Sequence, residues 1–387
     1  MSAVETKTLP LGQTLKHIFS NTNLKIVDIL SNVDVSRSFI ERLFRGKESR
    51  FDLVLSVIRF LECDENALIQ QYCEEIEMPA NLLYALEYCD RRNNLNMLEK
   101  LIERSEGKTL PELREMKQLY RISHQRKKDG STENLKKALI MAKSLRPSTS
   151  VSKTFQKLVE IQIHHQLKEY GNVSNILENL EISTIDDAFF NESFQWRVNQ
   201  VQQSISLRVD VDFERCRALA FELLRMSDSK YFHAYAYGNL GLCHAFTNQK
   251  EEAIRYLNKS KQLYGETGMS NGVWNETIQF FEIAWGKKTH FDEVCSTKNI
   301  ALWLIKSGKS YQSIEIIDKI EQVEGISPMS LYLRGLANDD PDCHWQALEM
   351  YIKHRGDRLF AILPRNELLH LKQNKYGVNA LYNILKK

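Results

Sequence analysis

The chain has 387 residues, of which 43% are hydrophobic, with only 16 glycines and 7 prolines. That length holds one large domain or two to three ordinary ones with a sizeable core. The composition excludes collagen-like, low-complexity and mostly disordered chains, and argues against a turn-rich all-β fold. Charges nearly cancel, 52 basic against 50 acidic for a net of +2, so partners must be sought in how charge is distributed.

No apolar run reaches the length of a membrane span, and the first residues, Met1 to Lys7, lack an apolar signal core. The seven cysteines are odd in number and never spaced as CxxC. A disulfide framework or zinc ribbon is therefore not expected, and a reducing, cytoplasmic setting is.

Residues 1–50 carry eight Lys/Arg and five Asp/Glu, and the whole surplus sits in 36–50. Residues 61–90 then carry eight acidic residues and no Lys or Arg. Blocks of this kind predict a small basic N-terminal module followed by something with a different partner. Residues 91–146 are basic again around Arg126-Lys127-Lys128, but their charges alternate along long helices and read as solvated faces.

Within the basic module, residues 23–33 place Leu24, Val27, Ile29, Leu30 and Val33 largely on one helical face. Asp34-Val35-Ser36 is a turn ending in a good N-cap residue. A second helix, Arg37–Phe44, offers Ile40, Leu43 and Phe44 to the first, and Arg45-Gly46-Lys47 ends it with the usual αL stop. A third helix, Phe51–Leu61, closes a small core. The pattern resembles the helix-turn-helix of phage-repressor-like (Xre or Cro/cI) families. In that geometry the start of the second helix enters the major groove. Arg37 would read a guanine edge, and Ser36 and Ser38 a base or phosphate. Arg42, Arg45 and Lys47 would lie near phosphates. The alternative is a plain helical hairpin packed on the rest of the chain.

From Ser148 to Ser327 there is no proline, and apolar residues recur at helical spacing between short polar turns such as Tyr170-Gly171-Asn172, Thr247-Asn248-Gln249 and Ser307-Gly308-Lys309. This is the signature of an α-solenoid. One repeat is explicit: Tyr237-Gly238-Asn239-Leu240-Gly241-Leu242-Cys243-His244, then Ala253, Leu257 and Ser260, matches the tetratricopeptide pattern. Weaker copies lie at 155–181, 193–226, 300–322 and 329–353. Grooves of such arrays hold extended peptides through Asn, Arg and Lys. Asn239 and Leu242 are groove candidates from the best repeat, and Asn199, Gln200, Gln203 and Ser204 from the one before. For each, a solvated face or a helix–helix hydrogen bond is the alternative.

Enzyme and metal motifs are missing. There is no GxGxxG, HExxH, GxSxG or DxDxDG. Gly308-Lys309-Ser310 lacks the earlier glycine of a phosphate loop, with Trp303 in its place. His164-His165 and Cys343-His344 have no further ligands at metal spacing. Glu74, Glu75 and Glu77 read as a solvated helix face. No catalytic residue, metal site or cofactor is expected.

The expectation is an all-α chain: a helix-turn-helix in 1–62, a helical linker and first hairpins in 63–150, a tetratricopeptide-like superhelical array in 151–371, and a capping or dimerisation helix in 372–387. This order resembles the peptide-sensing regulators of Gram-positive bacteria and their phages. Within that group the chain is similar to the AimR family, the arbitrium receptors of temperate Bacillus phages. Ala85-Leu86-Glu87-Tyr88, Ser193-Phe194-x-x-Arg197, Tyr332-Leu333-x-Gly335-Leu336 and Asp357-x-Leu359-Phe360 carry the likeness. The resemblance implies a homodimer in the cytoplasm of the bacterial host that binds operator DNA. A short phage-encoded peptide in the groove would make it release DNA or lock it inactive, and lysogeny would follow.

By the same resemblance, Asp357 matches an acidic peptide-contacting position, and Asn239 and Asn299 match polar ones. Ser204 and Arg208 stand where the family uses asparagines on the helix after Ser-Phe-x-x-Arg. The family's groove arginine aligns with Tyr231, beside Lys230, so Arg197 or Arg208 would have to hold a peptide carboxylate. Leu381, Ile384 and Leu385 form an apolar helix end that pairs subunits or caps the last repeat. A second reading is a Rap-like regulator whose N-terminal helices bundle and bind protein instead of DNA.

Overall fold

The computed structural model describes residues 9–267, 272–287 and 290–383. It is all-helical, with no strand among the described residues. The chain divides into two compact units. The first runs to Val159 and includes Glu181–Ser193; the second comprises Glu160–Leu180 and the chain from Phe194 onward. The segments 1–62 and 63–150 thus share one unit, and 181–193 packs with them.

The first unit contains α1 (Leu11–Ser20), α2 (Ile26–Asn32), α3 (Arg37–Phe44), α4 (Phe51–Phe60), α5 (Glu65–Glu75), α6 (Pro79–Arg91), α7 (Leu95–Arg104), α8 (Pro111–Lys128) and α9 (Thr132–Ser144). Local sequence fixes most of their ends. Pro79 and Pro111 open helices where a missing N–H costs nothing. The side chains of Ser36, Asp64, Asn94 and Ser131 each accept the amide three residues on. Gly46, at φ +74°, makes the left-handed stop after α3.

The first helix of the basic module is shorter than its apolar pattern. Leu24 precedes it, and Val27 is 61% exposed. The reason is a cap: the Asp28 carboxylate accepts the Lys25 amide at 2.6 Å, so the helix begins at Ile26. Ile29, Val33, Ile40, Leu43 and Phe44 are buried. Burying each large aliphatic side chain stabilises the fold by about 1.5–3 kcal/mol. No element was expected at α1, yet α3 packs on it more broadly than on α2. At that crossing a Cβ on Gly12 would lie 1.8 Å from the Leu43 carbonyl oxygen. Only glycine permits the approach.

α10 (Ser150–Gln166) and α12 (Ala188–Ile205) carry the chain from one unit to the other, and α11 (Tyr170–Glu178) lies between them. Tyr170 therefore begins a helix, and the turn before it is made at Lys168, φ +62°. The rest of the second unit is α13 (Phe213–Met226), α14 (Lys230–Phe246), α15 (Lys250–Glu266), α16 (Gly272–Ala284), α17 (Thr297–Lys306), α18 (Ser310–Glu324), α19 (Pro328–Asn338), α20 (Pro341–Glu349), α21 (Arg358–His370) and α22 (Lys375–Tyr382). From α13 on, each helix packs on its neighbour in the chain.

The explicit repeat is the hairpin α14–α15. A Cβ on Gly241 would stand 2.6 Å from Leu257, and Ala253 is fully buried, so the two helices pack closely. Ser260 Oγ donates to the Ala234 carbonyl at 2.6 Å and seals the contact. The turns at Asn248 and Gly308 adopt positive φ, as the breaks in the pattern predict.

Two segments depart from α geometry. Ser206–Asp210, at the end of α12, and Met350–Arg355, at the end of α20, are π-helical. Extra residues of this kind are frequent at functional sites. The first ends at Val211 with φ +57°, a strained conformation for a β-branched residue. Val211→Gly should relieve it and raise stability by about 1 kcal/mol, read as a higher denaturation midpoint. A lower midpoint would mean that the valine side chain contributes more than the strain costs.

Candidate functional site

In the first unit, Arg37, Ser38, Arg42, Arg45 and Lys47 are all exposed along or just after α3. The Arg37 guanidinium donates to Glu41 at 3.2 Å, and Arg45 stands 4.0 Å from the same carboxylate. Both pairs are well solvated and contribute little to stability. Ser36 differs from its neighbours, because its hydroxyl accepts the Phe39 amide at 3.1 Å as the helix cap. Its first role is to start α3. Arg126 and Lys127, by contrast, are turned inward, and Lys127 pairs with fully buried Asp90 at 2.8 Å.

The surroundings of α3 are moored by Glu48, just after it, and by acidic residues expected on a solvated face. The Glu48 carboxylate accepts the amides of Glu77 and Met78, at 3.0 and 2.9 Å, and thereby caps α6. It also accepts from Asn81 Nδ2 at 2.7 Å, while Asn81 Oδ1 accepts the Phe51 amide at 3.0 Å. Glu75 accepts the Leu11 amide at the start of α1, and Glu77 pairs with Arg104 and Lys108. Glu75 and Glu77 are therefore not a merely solvated face. Glu74, 3.9 Å from Lys100 with both exposed, is.

In the second unit a buried polar seam runs through several of the predicted groove residues. Asn199 Nδ2 donates to Glu222 at 3.2 Å, Gln203 Nε2 donates to Asn199 Oδ1 at 2.7 Å, and Asn239 Nδ2 donates to Gln203 Oε1 at 3.2 Å. One turn along, Ser204 Oγ bonds Tyr235 and the His165 ring, the latter at 2.7 Å. Burial pushes the Tyr235 hydroxyl pKa up to about 12, against the lowering effect of Ser204. It is neutral at physiological pH.

The seam leads to Arg208 in the π-helical segment. Its Nη1 donates to Asp357 Oδ2 at 2.7 Å, across 149 residues of sequence. The guanidinium lies over the rings of Tyr170 and Phe360, at 6.0 and 5.4 Å. Asp357 also caps α21 through the Phe360 amide. Next to it, Arg358 donates to the Val209 carbonyl at 2.9 Å and to the Tyr382 carbonyl at 3.2 Å. Phe360 has a second neighbour: it forms a wall of a cavity of about 120 Å³, together with Phe280, Phe281, Met329, Leu333 and Asn299. Asn299 is 3% exposed and donates to the Glu276 carbonyl at 2.9 Å.

The other predicted residues stand elsewhere. Leu242 is 3% exposed and packs in the main apolar core with Cys243, Ala253 and Leu257, so it faces no groove. Lys230 forms a surface ion pair with Glu266 at 2.7 Å, outside the seam. Leu381 packs against the core around Leu348 and Tyr382, as a capping helix does. Ile384 and Leu385 lie outside the described residues. His165, Tyr170, Tyr235 and Phe360 were not expected beside these polar residues. The available signal was spacing: Tyr235 precedes Asn239 by one turn, and Phe360 follows Asp357 by one. Among the described residues, no group of three or more His, Cys, Asp or Glu could hold a metal ion, and no helix is long and apolar enough to cross a membrane.

An array of helical hairpins with a polar seam, preceded by short helices that expose a cationic one, is the layout of a helical-repeat regulator. A family model described as AimR transcriptional regulator-like matches residues 65–370, and the chain belongs to that family. A curated relative, the AimR transcriptional regulator of Bacillus phage phi3T, is 22% identical over 222 residues, 55% of this chain. The chain spans 58% of that relative's length in the match. Two solved structures share the fold. One, described as SeMet-phAimR, has a TM-score of 0.68 at 17% identity, covering 96% of this chain and all of the other. The second, described as phAimR-Ligand, has a TM-score of 0.72 at 18% identity, covering 84% and 98%.

Proposed function

We propose that the chain is a homodimeric, peptide-controlled transcriptional regulator of the phage lysis–lysogeny decision, acting in the cytoplasm of the bacterial host. α3 reads operator DNA: Arg37 and Ser38 contact base edges, while Arg42, Arg45 and Lys47 contact phosphates. The polar seam around Asn199, Ser204, Arg208, Asn239 and Asp357, with Asn299 at the neighbouring cavity, receives a short phage-encoded peptide. The observation that carries this reading is the exposure of every α3 cation in a chain of a transcriptional-regulator family. The bound ligand named for one structural relative supports the receptor half. Peptide binding in the second unit alters how the dimer presents its two DNA-binding units. Half-site spacing is strict, so binding responds sharply. Release or locking of the dimer silences a nearby locus that promotes lysis.

The test is binding of the purified protein to DNA flanking its gene across a salt series, with and without the short peptide encoded beside it. Tight, sequence-selective binding that the peptide abolishes is expected. Each phosphate contact should add about −0.9 to the slope of log K against log salt. Arg37→Ala should cost about 1–3 kcal/mol and relax specificity at one base pair, whereas Lys47→Ala should weaken all sequences alike and flatten the slope by about 1. Absence of selective binding, with Arg37→Ala inert, would favour the Rap-like protein-binding reading instead.

A further inference from the structure

α6 is gripped at two places by segments far from each other in sequence. Its N-terminal turn is capped by Glu48, which takes the Glu77 and Met78 amides and Asn81 Nδ2. Asn81 Oδ1 in turn accepts the Phe51 amide at 3.0 Å. Glu48 lies in the turn after α3, and Phe51 begins α4. Farther along α6, the Tyr84 hydroxyl donates to Asp187 at 2.5 Å. The fully buried Glu87 carboxylate accepts the hydroxyls of Ser193 and Tyr120, the latter at 2.6 Å. Asp187 also caps α12 by accepting the Phe189 and Phe190 amides.

The start of α12 is packed as well as bonded. Phe189 and Phe190 stand 5.3 and 5.4 Å from the Tyr84 ring, and Phe189 stands 6.2 Å from Phe51. Ten of the thirteen residues of α6 are buried, so the helix shifts as a body or not at all. α12 runs without a break from Ala188 to Ile205. Its first residues make these contacts with α6, and farther along it carries Asn199, Gln203 and Ser204 of the polar seam. A rigid helix passes a displacement of one end to the other. We propose that α6 is a relay. Ligand binding at the seam shifts α12, Ser193 and Asp187 draw Glu87 and Tyr84 with them, and α6 carries Glu48 and Asn81, and so the turn that fixes α3. Tyr84, Glu87, Asp187 and Ser193 are then positioning residues that touch neither DNA nor peptide. The inference rests on the peptide-receptor reading and deepens it by naming the route of regulation.

Hydrogen exchange on the full-length protein tests the relay without any ligand. Asn239→Leu removes the hydrogen bond from α14 to Gln203 and so disturbs α12 at the seam. It should change exchange of the Phe51, Glu77 and Met78 amides by about fivefold or more. Adding Tyr84→Phe and Ser193→Ala should remove that response. Asp187→Asn, which still accepts from Tyr84 and caps α12, should keep it. A response confined to the second unit, or one that survives the cut, would overturn the relay. The second arm uses DNA flanking the gene and the synthetic short peptide encoded beside it. Tyr84→Phe with Ser193→Ala should hold DNA affinity within about threefold, while the factor by which the peptide weakens DNA binding falls about tenfold. Tyr84→Phe alone, at a half-buried site, spares the core and should lose part of that factor, so the comparison stands even where the double variant is less stable. Equal loss of DNA affinity with and without peptide would assign these contacts to the fold alone and overturn the relay. A peptide that releases DNA from the double variant as well as from the unaltered protein would overturn the relay and keep the regulator reading. Amides that respond while the peptide leaves DNA binding untouched would do the reverse.

Discussion

Gly12→Ala should disrupt the first unit and, under the proposed role of α3, abolish DNA binding. The added methyl would sit 1.8 Å from the Leu43 carbonyl oxygen and 2.9 Å from the Gly46 backbone. Overpacking of a core typically costs 1–3 kcal/mol when side chains can give way. Here the obstacle is main chain on both counts, so a loss of about 3 kcal/mol or more is expected. Hydrogen exchange should report it by place: amides of α1 and α3 lose protection, while those of α14 and α15 keep theirs. Unchanged protection in α3 would mean that the α1–α3 crossing is looser than described.

Arg208→Met should destabilise the second unit by about 3 kcal/mol, because it leaves the buried Asp357 carboxylate without its cation. Adding Asp357→Asn should recover most of the loss. Asparagine still caps α21 through the Phe360 amide and brings no charge. Chemical denaturation of the single and double variants measures the coupling directly. A neutral Arg208→Met would show that the pair is solvated, contrary to its 5% exposed carboxylate.

What the sequence made legible was local. Ser36, Gly46 and the apolar spacing between them bound α3 at Arg37 and Phe44, because caps and stops act within a few residues. The α14–α15 hairpin was readable from Gly241, Ala253 and Leu257 for the same reason. What escaped was non-local. Glu75 caps a helix 64 residues upstream, Glu48 caps one 30 residues downstream, and the Arg208–Asp357 pair closes 149 residues. No periodicity encodes such partners. Leu242 shows the converse error: a motif position fixes the helix but not which side of it meets solvent. The seam was half legible, since Asn199, Ser204, Arg208 and Asn239 were identified while the aromatic and histidine groups that hold them were not.

The division of labour along α3 bears on how such regulators diversify. Ile40, Leu43 and Phe44 hold the helix in place, and Glu48 moors the turn after it. Arg37, Ser38 and Arg42 project to solvent, and the contacts of Arg37 with Glu41 and of Ser38 with Ser36 stay within the helix and its cap. Substitutions on that outer face should cost little in folding, so under the proposed DNA-reading role the recognised sequence can change while the core beneath α3 stays the same.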